Sequence, residues 1–313
     1  MASHILRRLL ATVPVVIIVA VLVFLLLRLT PGDPAAVIAG EHASAADIDR
    51  IRVSLGLDRP LLEQFFIWLG TLLQGDLGRS IISNMPISSL IAQRIEPTLS
   101  LAVSTMLVSL LISLPLGIAA AWGSRTWVDR FTMLLAILGF SLPVFLVAYT
   151  LIYFFSMKLG WFPVQGYRPL SQGVLPWLQG LALPTLSLSF TYIALLARTT
   201  RASMLDVLSE DYIRTAQAKG VRTRALLIRH AFSNAAVPVV TIAGIGITLL
   251  ISGVVITETV FNIPGLGRLT VDAILSRDYP IIQALILLFS AVYVAINLLI
   301  DLLYLVLDPR IEY

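Results

Sequence analysis

Residues 212–220 read YIRTAQAKG, a polar and basic stretch in a 313-residue chain that is 58% hydrophobic and only 13% charged. The stretch belongs to a polar insert, residues 198–235, that lies between two apolar runs. An average soluble domain is about 45 to 50% apolar and about 25% charged. The composition therefore predicts a membrane protein, and the insert is expected to stand outside the lipid.

Six apolar runs are long enough for membrane helices, which need about 20 mostly apolar residues. They lie at residues 9–29, 98–122, 131–156, 177–197, 236–259 and 281–306. The first run is about eighteen residues long, beyond the roughly 7 to 15 of a cleaved signal, so we expect a retained anchor. The fold predicted is an all-α polytopic membrane protein with six transmembrane helices, in which residues 1–313 form a single transmembrane domain.

The distribution of basic residues predicts the orientation, because Lys and Arg accumulate on the cytoplasmic side. With the N-terminus inside, the cytoplasmic segments hold Arg7, Arg8, Arg125, Arg130, Arg198, Arg201, Arg214, Lys219, Arg222, Arg224, Arg229 and Arg310. The short outer loops hold only Lys158, Arg168, Arg268 and Arg277. Both termini and the loop 198–235 are therefore expected to be cytoplasmic, and the loop 30–97 to be extracytoplasmic.

The long loop 30–97 carries the pattern of two short helices. The sequence SAAD at residues 44–47 resembles a capping box, and Gly56 is a plausible helix end. A second helix is predicted to start near Pro60 because an apolar stripe follows at helical spacing. The stripe consists of Leu61, Leu62, Phe65, Phe66, Leu69, Leu72 and Leu73. We expect it to pack on the membrane surface or on the spans, with a substrate contact as the alternative.

Several kinds of chemistry are missing from the sequence. A P-loop needs Gly-Lys-Ser/Thr, and neither Lys158 nor Lys219 follows a glycine. The GFS at residues 139–141 lies in a predicted span, but a serine nucleophile needs a nearby base. The chain has no cysteine, and its histidines, which lack the spacing of a metal site, all lie outside the predicted spans: His4, His42 and His230. We therefore expect no enzyme activity, metal or cofactor in this chain.

Polar residues within membrane spans are functional candidates by default. Asn297 and Asp301 lie one helical turn apart in the sixth predicted span, and Glu258 lies at the outer end of the fifth. For Asp301, which lies near the predicted cytoplasmic interface, we expect an ion pair or a helix cap rather than a place on a substrate path. A secondary carrier would have more such groups near the midplane and often paired repeats. The sequence shows neither.

The polar insert predicts two short helices at an angle. Ser209 is expected to cap the first, with Asp211 in its first turn, Lys219 in its last and Gly220 just past its end in a left-handed conformation. A second amphipathic segment then leads into the fifth span. Such helices suit a groove on another protein, or they lie on anionic lipid. The residues alone leave both alternatives open.

The order Arg-Thr-Ala at residues 214–216, followed by Gly220, resembles the coupling loop, or EAA motif, of binding-protein-dependent ABC transporter permeases. The resemblance is best within the dipeptide and oligopeptide subfamily, whose loop resembles EDYIRTAQAKGVRTRALLIRHAFSNAAVPV at residues 210–239. Arg214 and Thr215 replace the Glu and first Ala of the broad motif, and no Leu-Pro follows Gly220, which is typical of that subfamily. Further matches are TPGDP (30–34), LGLDRP (55–60), GDLGRS (75–80), SLPVF (141–145), ETVFNIPGLGRL (258–269), RDYP (277–280) and NLLIDLLYLVLDPRI (297–311).

The resemblance implies a type I-like ABC importer subunit that forms half of a path for di- and oligopeptides. Its implied partners are a second permease in a heterodimer, two ABC ATPase subunits that bind ATP and Mg, an extracytoplasmic solute-binding protein and membrane lipid, with no nucleic acid. The implied location is the plasma (inner) membrane of a bacterium or archaeon. Nickel, glutathione, an opine or another small solute is the alternative cargo. An autonomous channel or secondary carrier is the alternative of a different class.

The resemblance also implies two groups of functional residues. ATPase coupling is expected of Asp211, Arg214, Thr215, Ala216, Lys219 and Gly220, with Arg222, Arg229 and His230 as further contacts. Positive-inside anchoring remains open for Arg222 and Arg229. Candidates for the path or its gate are Ser141, Pro143, Glu258, Pro264, Gly265, Gly267, Asn297 and Asp301. Ordinary packing remains open for Ser141 and Pro143, and an ion pair or cap is preferred for Asp301. Pro143 is expected to bend the third span, and a purely structural turn remains open for residues 262–268.

Overall fold

Helices make up nearly all of the described chain in the computed structural model, which describes residues 2–29, 35, 44–54 and 56–307. They are α1 (Ala2–Leu29), α2 (Ala45–Ser54), α3 (Leu61–Leu73), α4 (Ile87–Trp122), α5 (Trp127–Ser141), α6 (Val144–Leu151), α7 (Val174–Leu208), α8 (Asp211–Ala218), α9 (Thr223–Ala225), α10 (Ser233–Val260), α11 (Leu266–Leu275) and α12 (Tyr279–Leu307). Two stretches are π-helical, Ile152–Lys158 after α6 and Leu226–Phe232 between α9 and α10. The sequence features predicted at residues 30–34, His42 and Arg310 lie outside the described residues.

The helical fold class is confirmed, with four described helices that are long and apolar enough to cross a membrane. They are Ile87–Trp122, Val174–Leu208, Thr223–Leu250 and Tyr279–Ile300, and the bent pair Trp127–Ser141 with Val144–Lys158 brings the number to five. The first predicted span lies in α1, whose apolar part with described side chains is Thr12–Leu25. The count of six spans therefore stays a prediction.

The third predicted span is broken into two helices. α5 and the helix that begins at Val144 meet at a bend of 105°. Leu142, which precedes Pro143, has extended dihedrals of φ −92° and ψ 123°, because the proline ring disfavours the α conformation in the residue before it. The bend predicted at Pro143 is confirmed, and it divides the predicted span 131–156 into two helices.

The fifth predicted span begins earlier than its apolar composition indicates. A continuous helical path runs from α9 through the π-helical stretch into α10. The prediction of a separate second short helix in the insert is therefore wrong. The amphipathic segment continues the span as one helix, because its apolar side chains Leu226 and Ala231 are buried in the same cluster as Ala235 of α10.

The two short helices predicted in the loop 30–97 are confirmed. α2 begins directly after Ser44, and Gly56 beyond its end has a left-handed φ of 65°. α3 begins directly after Pro60. Both helices belong to the first of two compact units, which comprises residues 1–95 and 269–295.

Polar contacts to backbone groups hold the first unit together. The Asp278 carboxylate accepts hydrogen bonds from the Ser80 hydroxyl and from the backbone N–H of Ile81. The Gln283 side chain donates to the backbone carbonyl of Val23 in α1 at 2.9 Å. Asp278 and Gln283 are buried, so these bonds satisfy groups that would otherwise cost free energy in an apolar interior.

The second unit, residues 96–268 and 296–313, is organised around α7. The apolar part of α7 is 67% buried, against 28% for the corresponding parts of the other three long apolar helices, and α7 packs on α5, α6 and α10. At the crossing with α5, a Cβ on Gly139 would overlap the Cβ of Ala194 and lie 3.1 Å from the carbonyl oxygen of Phe190. Small residues at such crossings let helix backbones approach closely in lipid.

An ion pair joins the beginning of α5 to α7. The Arg201 guanidinium donates through Nε and Nη2 to the two carboxylate oxygens of Asp129, with 2.8 Å for the Nη2 bond. The Asp129 side chain is only 7% exposed and also accepts from the Arg125 backbone N–H. The bidentate geometry fixes the direction as well as the distance of the contact.

The close crossing at Gly139 predicts that Gly139→Ala destabilises the chain. The added methyl group has to displace Ala194 or the α7 backbone, and overpacking of this kind typically costs about 1 to 3 kcal/mol. The matched control is Gly70→Ala in α3, where a Cβ meets nothing within 4 Å. That change is expected to be neutral or stabilising. Thermal unfolding of the detergent-solubilised chain measures both, and equal midpoints for the two variants would contradict the assignment of a tight α5–α7 crossing.

Candidate functional site

Ser209 ends α7 and does not begin α8. Its backbone is helical, with φ −80° and ψ −13°, and its hydroxyl donates to the carbonyl of Asp206 at 2.7 Å. Glu210 takes the extended N-cap conformation, and no side chain caps the helix. The prediction that Ser209 caps α8 is therefore wrong, because its hydroxyl is used by a local bond to the preceding helix turn.

α8 is anchored by one large apolar side chain. Ile213 is 1% exposed and belongs to a buried group that we name the α8 cluster: Ala121, Met204, Ile213, Leu226, Ala231 and Ala235. Ala216, one turn after Ile213, is half-buried against the same cluster. Burial of an isoleucine contributes about 1.5 to 3 kcal/mol. A helix of only eight residues is unstable alone in water, so this anchor holds it in place.

The other side of α8 is polar and exposed. The Asp211 side chain is 96% exposed and that of Arg214 is 72% exposed. Their ion pair, 3.5 Å between Asp211 Oδ1 and Arg214 Nη1, contributes little at such exposure. Thr215 and Lys219 are also exposed. The predicted coupling residues thus lie on one short helix that presents hydrogen-bonding groups outward.

The end of α8 is a Schellman motif. Gly220 has a left-handed φ of 75°, and its N–H donates to the carbonyl of Gln217 at 2.9 Å. The Val221 N–H donates to the carbonyl of Ala216 at 3.2 Å. Val221 and Ala216 both pack against the α8 cluster, which is the apolar contact that usually accompanies the motif. The left-handed conformation predicted for Gly220 is confirmed.

The further candidates lie on the helical segment after this turn. Arg222 is the exposed N-cap of α9, and Arg229 and His230 lie in the π-helical stretch, where Arg229 is exposed and His230 half-buried. π-helical insertions are rare and occur frequently at functional sites. The structure therefore brings the predicted coupling residues 211–222 together on α8 and its C-terminal turn, and places Arg229 and His230 on the segment leading into α10.

A side-chain contact that sequence reasoning missed joins α8 to the start of α10. Asn234 donates to the Tyr212 hydroxyl at 3.0 Å and to the carbonyl of His230 at 2.8 Å. The missed apolar anchor, Ile213, had a visible signal, because it is the only large aliphatic residue between positions 209 and 220. The Tyr212–Asn234 contact had no signal in the sequence, because it depends on how the chain folds between these two residues.

At the predicted outer turn, Glu258 is a helix cap. Its side chain is fully buried, with 0% exposure. The carboxylate accepts from the Thr98 hydroxyl at 2.5 Å and from the backbone N–H of Arg268 at 2.9 Å. The Thr98 hydroxyl oxygen in turn accepts from the Leu266 N–H at 2.8 Å. Thr98 and Glu258 thus satisfy two N–H groups in the first turn of α11, where a negative charge is favourable.

The glycines of this turn make the cap possible. A Cβ on Gly265 would overlap the Glu258 carboxylate, and a Cβ on Gly267 would lie 2.7 Å from the Cα of Val255. Pro264, between Ile263 and Gly265, is exposed. Glu258, Gly265 and Gly267 are therefore brought together, and the glycines are required by close approach.

The remaining path candidates lie elsewhere in the fold. Ser141 is the last residue of α5 and Pro143 the N-cap of α6, and both are exposed at the 105° bend. Asn297 is half-buried in α12. Asp301 lies in the same helix, and its side chain is outside the described part of the structure.

Two family models match this chain. Residues 113–313 match the model of the binding-protein-dependent transport system inner membrane component, and residues 1–102 match the N-terminal model of the corresponding membrane component. A chain of the MetNI methionine ABC transporter, solved in inward-facing conformations, has a similar fold with a TM-score of 0.60. The likeness covers 71% of this chain and 97% of that chain at 15% sequence identity.

Full-length relatives carry names of the same kind. A probable peptide ABC transporter permease protein of Sinorhizobium fredii is 52% identical over 313 residues, which is 100% of both chains. The glutathione transport system permease protein GsiC of Pectobacterium atrosepticum is 45% identical over the same length of both chains. The resemblance stated from the sequence motifs is confirmed. This multi-pass membrane chain belongs to the binding-protein-dependent transport system inner membrane components, as the permease component of an ABC importer.

Proposed function

We propose that this permease forms half of the translocation path of an ATP-driven importer and that ATPase subunits dock on α8. The observation that carries the proposal is the division of α8 into two faces. Ile213 is buried in the α8 cluster, whereas Arg214 and Thr215 beside it are exposed. An interfacial helix lies on lipid through its apolar face. Because the apolar face of α8 is already taken by the protein, the polar face is the one offered to a partner, which favours a groove on another protein.

The energy source has to be a separate subunit. A P-loop requires a lysine after a glycine, and the lysines of this chain, Lys158 and Lys219, follow Met157 and Ala218. ATP and Mg are therefore bound by partner ATPase subunits. The permease itself is a non-catalytic subunit that converts their movement into a change of the path.

The α8 cluster provides the mechanical link. Its members come from the C-terminal end of α4 (Ala121), from α7 (Met204), from α8 (Ile213), and from the segment that leads into and begins α10 (Leu226, Ala231 and Ala235). Packed interiors transmit displacement because they have few voids and low compressibility. Closure of the ATPases against α8 would thus move the ends of three long helices together and switch the path between inward- and outward-facing states.

The topology proposed has six spans and cytoplasmic termini. α1 with its 28 residues supplies the first span, and α5 with α6 supplies the third despite its bend. The basic residues on and around α8 support a cytoplasmic location, because Lys and Arg accumulate on that side. The membrane is the plasma (inner) membrane of a bacterium or archaeon.

Di- and oligopeptides are the proposed cargo, delivered by an extracytoplasmic solute-binding protein to a heterodimer of this chain with a second permease. Support comes from the peptide name of the 52% identical relative. Glutathione, itself a tripeptide-like solute, is the nearest alternative because of the 45% identical relative named for it.

Site-specific cross-linking tests the docking surface. A photoreactive amino acid at Thr215 is expected to capture an ATPase subunit in native membranes, because the Thr215 side chain points outward from the anchored helix. The control is the same group at Trp161, a 62% exposed residue in a loop between predicted spans on the outer side. Mass spectrometry identifies the captured chains. Capture of lipid alone from Thr215, or the same products from both positions, would contradict the proposal.

The Schellman turn predicts that Gly220→Val uncouples the permease from its ATPases. A non-glycine residue in the left-handed conformation costs about 1 to 2 kcal/mol, and a β-branched side chain is a strong outlier there. We expect normal levels of inserted chain and loss of ATPase co-purification and uptake. Gly220→Asn, which tolerates this conformation, should retain both.

A second glycine controls for backbone strain alone. Gly160 has a similar φ of 66°, and a Cβ there also meets nothing within 4 Å. Gly160→Val is therefore expected to carry the same local strain and to keep the ATPases bound. If Gly160→Val lost them equally, or Gly220→Val kept them, the special role of the α8 turn would be refuted.

For Glu258, we propose a structural role rather than contact with the cargo. Glu258→Gln retains one oxygen acceptor and the side-chain volume but loses the second acceptor and the charge, so thermal stability should fall by less than in Glu258→Ala, and uptake per folded chain should stay close to that of the wild type. Glu258→Ala leaves the first turn of α11 without its cap and should lower stability by about 1 to 3 kcal/mol. A Glu258→Gln variant that folds normally but fails in uptake would instead support a gate at this position.

A further inference from the structure

An apolar stripe on α3 is left exposed by the residues that the structure describes. Leu62, Phe66 and Leu73 are 74%, 66% and 79% exposed. Their offsets of four and seven residues place them on one line along the helix. This is a contiguous surface of large apolar side chains, not a scatter of single exposed residues.

The distribution of buried and exposed side chains on α3 differs from that of a helix on a water-facing surface. Gln64 is only 8% exposed, and its amide donates to the backbone carbonyls of Leu57 at 3.3 Å and Arg59 at 2.8 Å. A polar side chain is thus turned inward, Phe65 and Trp68 are half-buried, and Leu62, Phe66 and Leu73 are turned outward. A surface helix in water turns its apolar stripe to the core, whereas most of the exposed side chains of α3 are large and apolar.

Aromatic contacts attach α3 to α1 in the same compact unit. The ring of Phe24 lies 5.2 Å from that of Phe65 and 5.7 Å from that of Trp68. Phe24 is 3% exposed, whereas Ile18 and Leu22 on α1 are 57% and 60% exposed. α3 therefore covers part of α1, while other apolar side chains in the described part of that helix, Thr12–Leu25, remain exposed.

The lengths of α1 and α3 indicate the environment of the exposed stripe on α3. α1 has 28 residues, more than the roughly 20 that a membrane span needs. With α1 as the proposed first span, Phe24 lies about 8 Å before its end, at 1.5 Å per residue, so a helix packed on Phe24 reaches the depth of the lipid tails. α3 has 13 residues and measures about 20 Å, too short to cross a hydrocarbon core of about 30 Å.

The charge of α3 agrees with this placement. Glu63 is the only ionisable residue of the helix, and it pairs with Arg59 at 2.9 Å just before the helix begins. A surface that docks a protein usually has a polar rim around its apolar centre, whereas Glu63 is the only charged residue that α3 itself places beside the stripe of Leu62, Phe66 and Leu73.

We propose that the stripe formed by Leu62, Phe66 and Leu73 contacts lipid acyl chains, so that α3 lies along the bilayer as an immersed, non-spanning helix. It holds the segment between α1 and α4 at the membrane. The proposal concerns the lipid contact of this chain and does not rest on the cargo or on ATPase docking.

Single cysteines test the contact, because the chain contains none of its own. Leu62→Cys, Phe66→Cys and Leu73→Cys are compared with Thr71→Cys, an exposed position on the opposite side of the same helix from Leu73, and with Gln74→Cys just past its end. The assembled transporter is placed in phosphatidylcholine vesicles with or without phosphatidylcholine that carries a spin label on its acyl chain. Each cysteine is reacted with a fluorescent maleimide, and separately with a membrane-impermeant maleimide.

The three stripe positions should be quenched by the spin-labelled lipid, and the two control positions should not. Reaction with the impermeant reagent should be at least about tenfold slower at the stripe, because only the thiolate reacts and apolar surroundings disfavour it. Equal reaction at all five positions would show that the stripe faces water. Protection without quenching would show that a protein covers it. Either result overturns the proposal, and the use of three stripe positions keeps the test independent of the folding of any one variant.

Discussion

Close approach of helix backbones along α7 is the constraint on which the second unit depends. Lipid supplies no hydrophobic force between helices, so association relies on short-range packing and on polar contacts. Gly139 lets α5 reach Ala194, and a Cβ on Gly117 of α4 would lie 2.6 Å from the Cβ of Thr200. The Asp129–Arg201 ion pair, near the same end of α7, fixes the direction of the contact between α5 and α7. α7 can therefore carry α4, α5 and α10 as one packed body.

The proposed coupling site depends on this packing. α7 has 35 residues and is about 52 Å long at 1.5 Å per residue, well beyond the roughly 30 Å of a hydrocarbon core. The C-terminal part of α7 contributes Met204 to the α8 cluster, and Ile213 anchors α8 in that cluster. The polar residues 211, 214, 215 and 219 owe their common outward direction to that one buried isoleucine. A short helix that lacks a buried anchor would not transmit a displacement to the long helices.

Local signals in the sequence predicted several of the backbone features correctly. The left-handed Gly220, the bend at Pro143 and the beginnings of α2 and α3 follow from backbone preferences that act over a few residues. The prediction that Ser209 caps α8 is wrong because its hydroxyl can hydrogen-bond to either of two neighbouring helices, and the composition does not show which bond forms. Glu258 looked like a possible gate because a carboxylate in a span is costly. Its partners Thr98 and Arg268 are distant or irregularly spaced in sequence, so no periodic pattern reveals the cap.

The sequence by itself determined the membrane class, the helical fold and the family resemblance, because apolar run length, charge distribution and the order of motifs are properties of the chain. Only the tertiary structure decided what each polar or exposed residue does. In the folded chain, Glu258 caps a helix, Ile213 anchors one, and the buried Gln64 bonds to backbone carbonyls. Leu62 and Phe66 stay exposed. The physical reason is that hydrogen-bond satisfaction and burial depend on partners that long-range folding brings within a few ångströms.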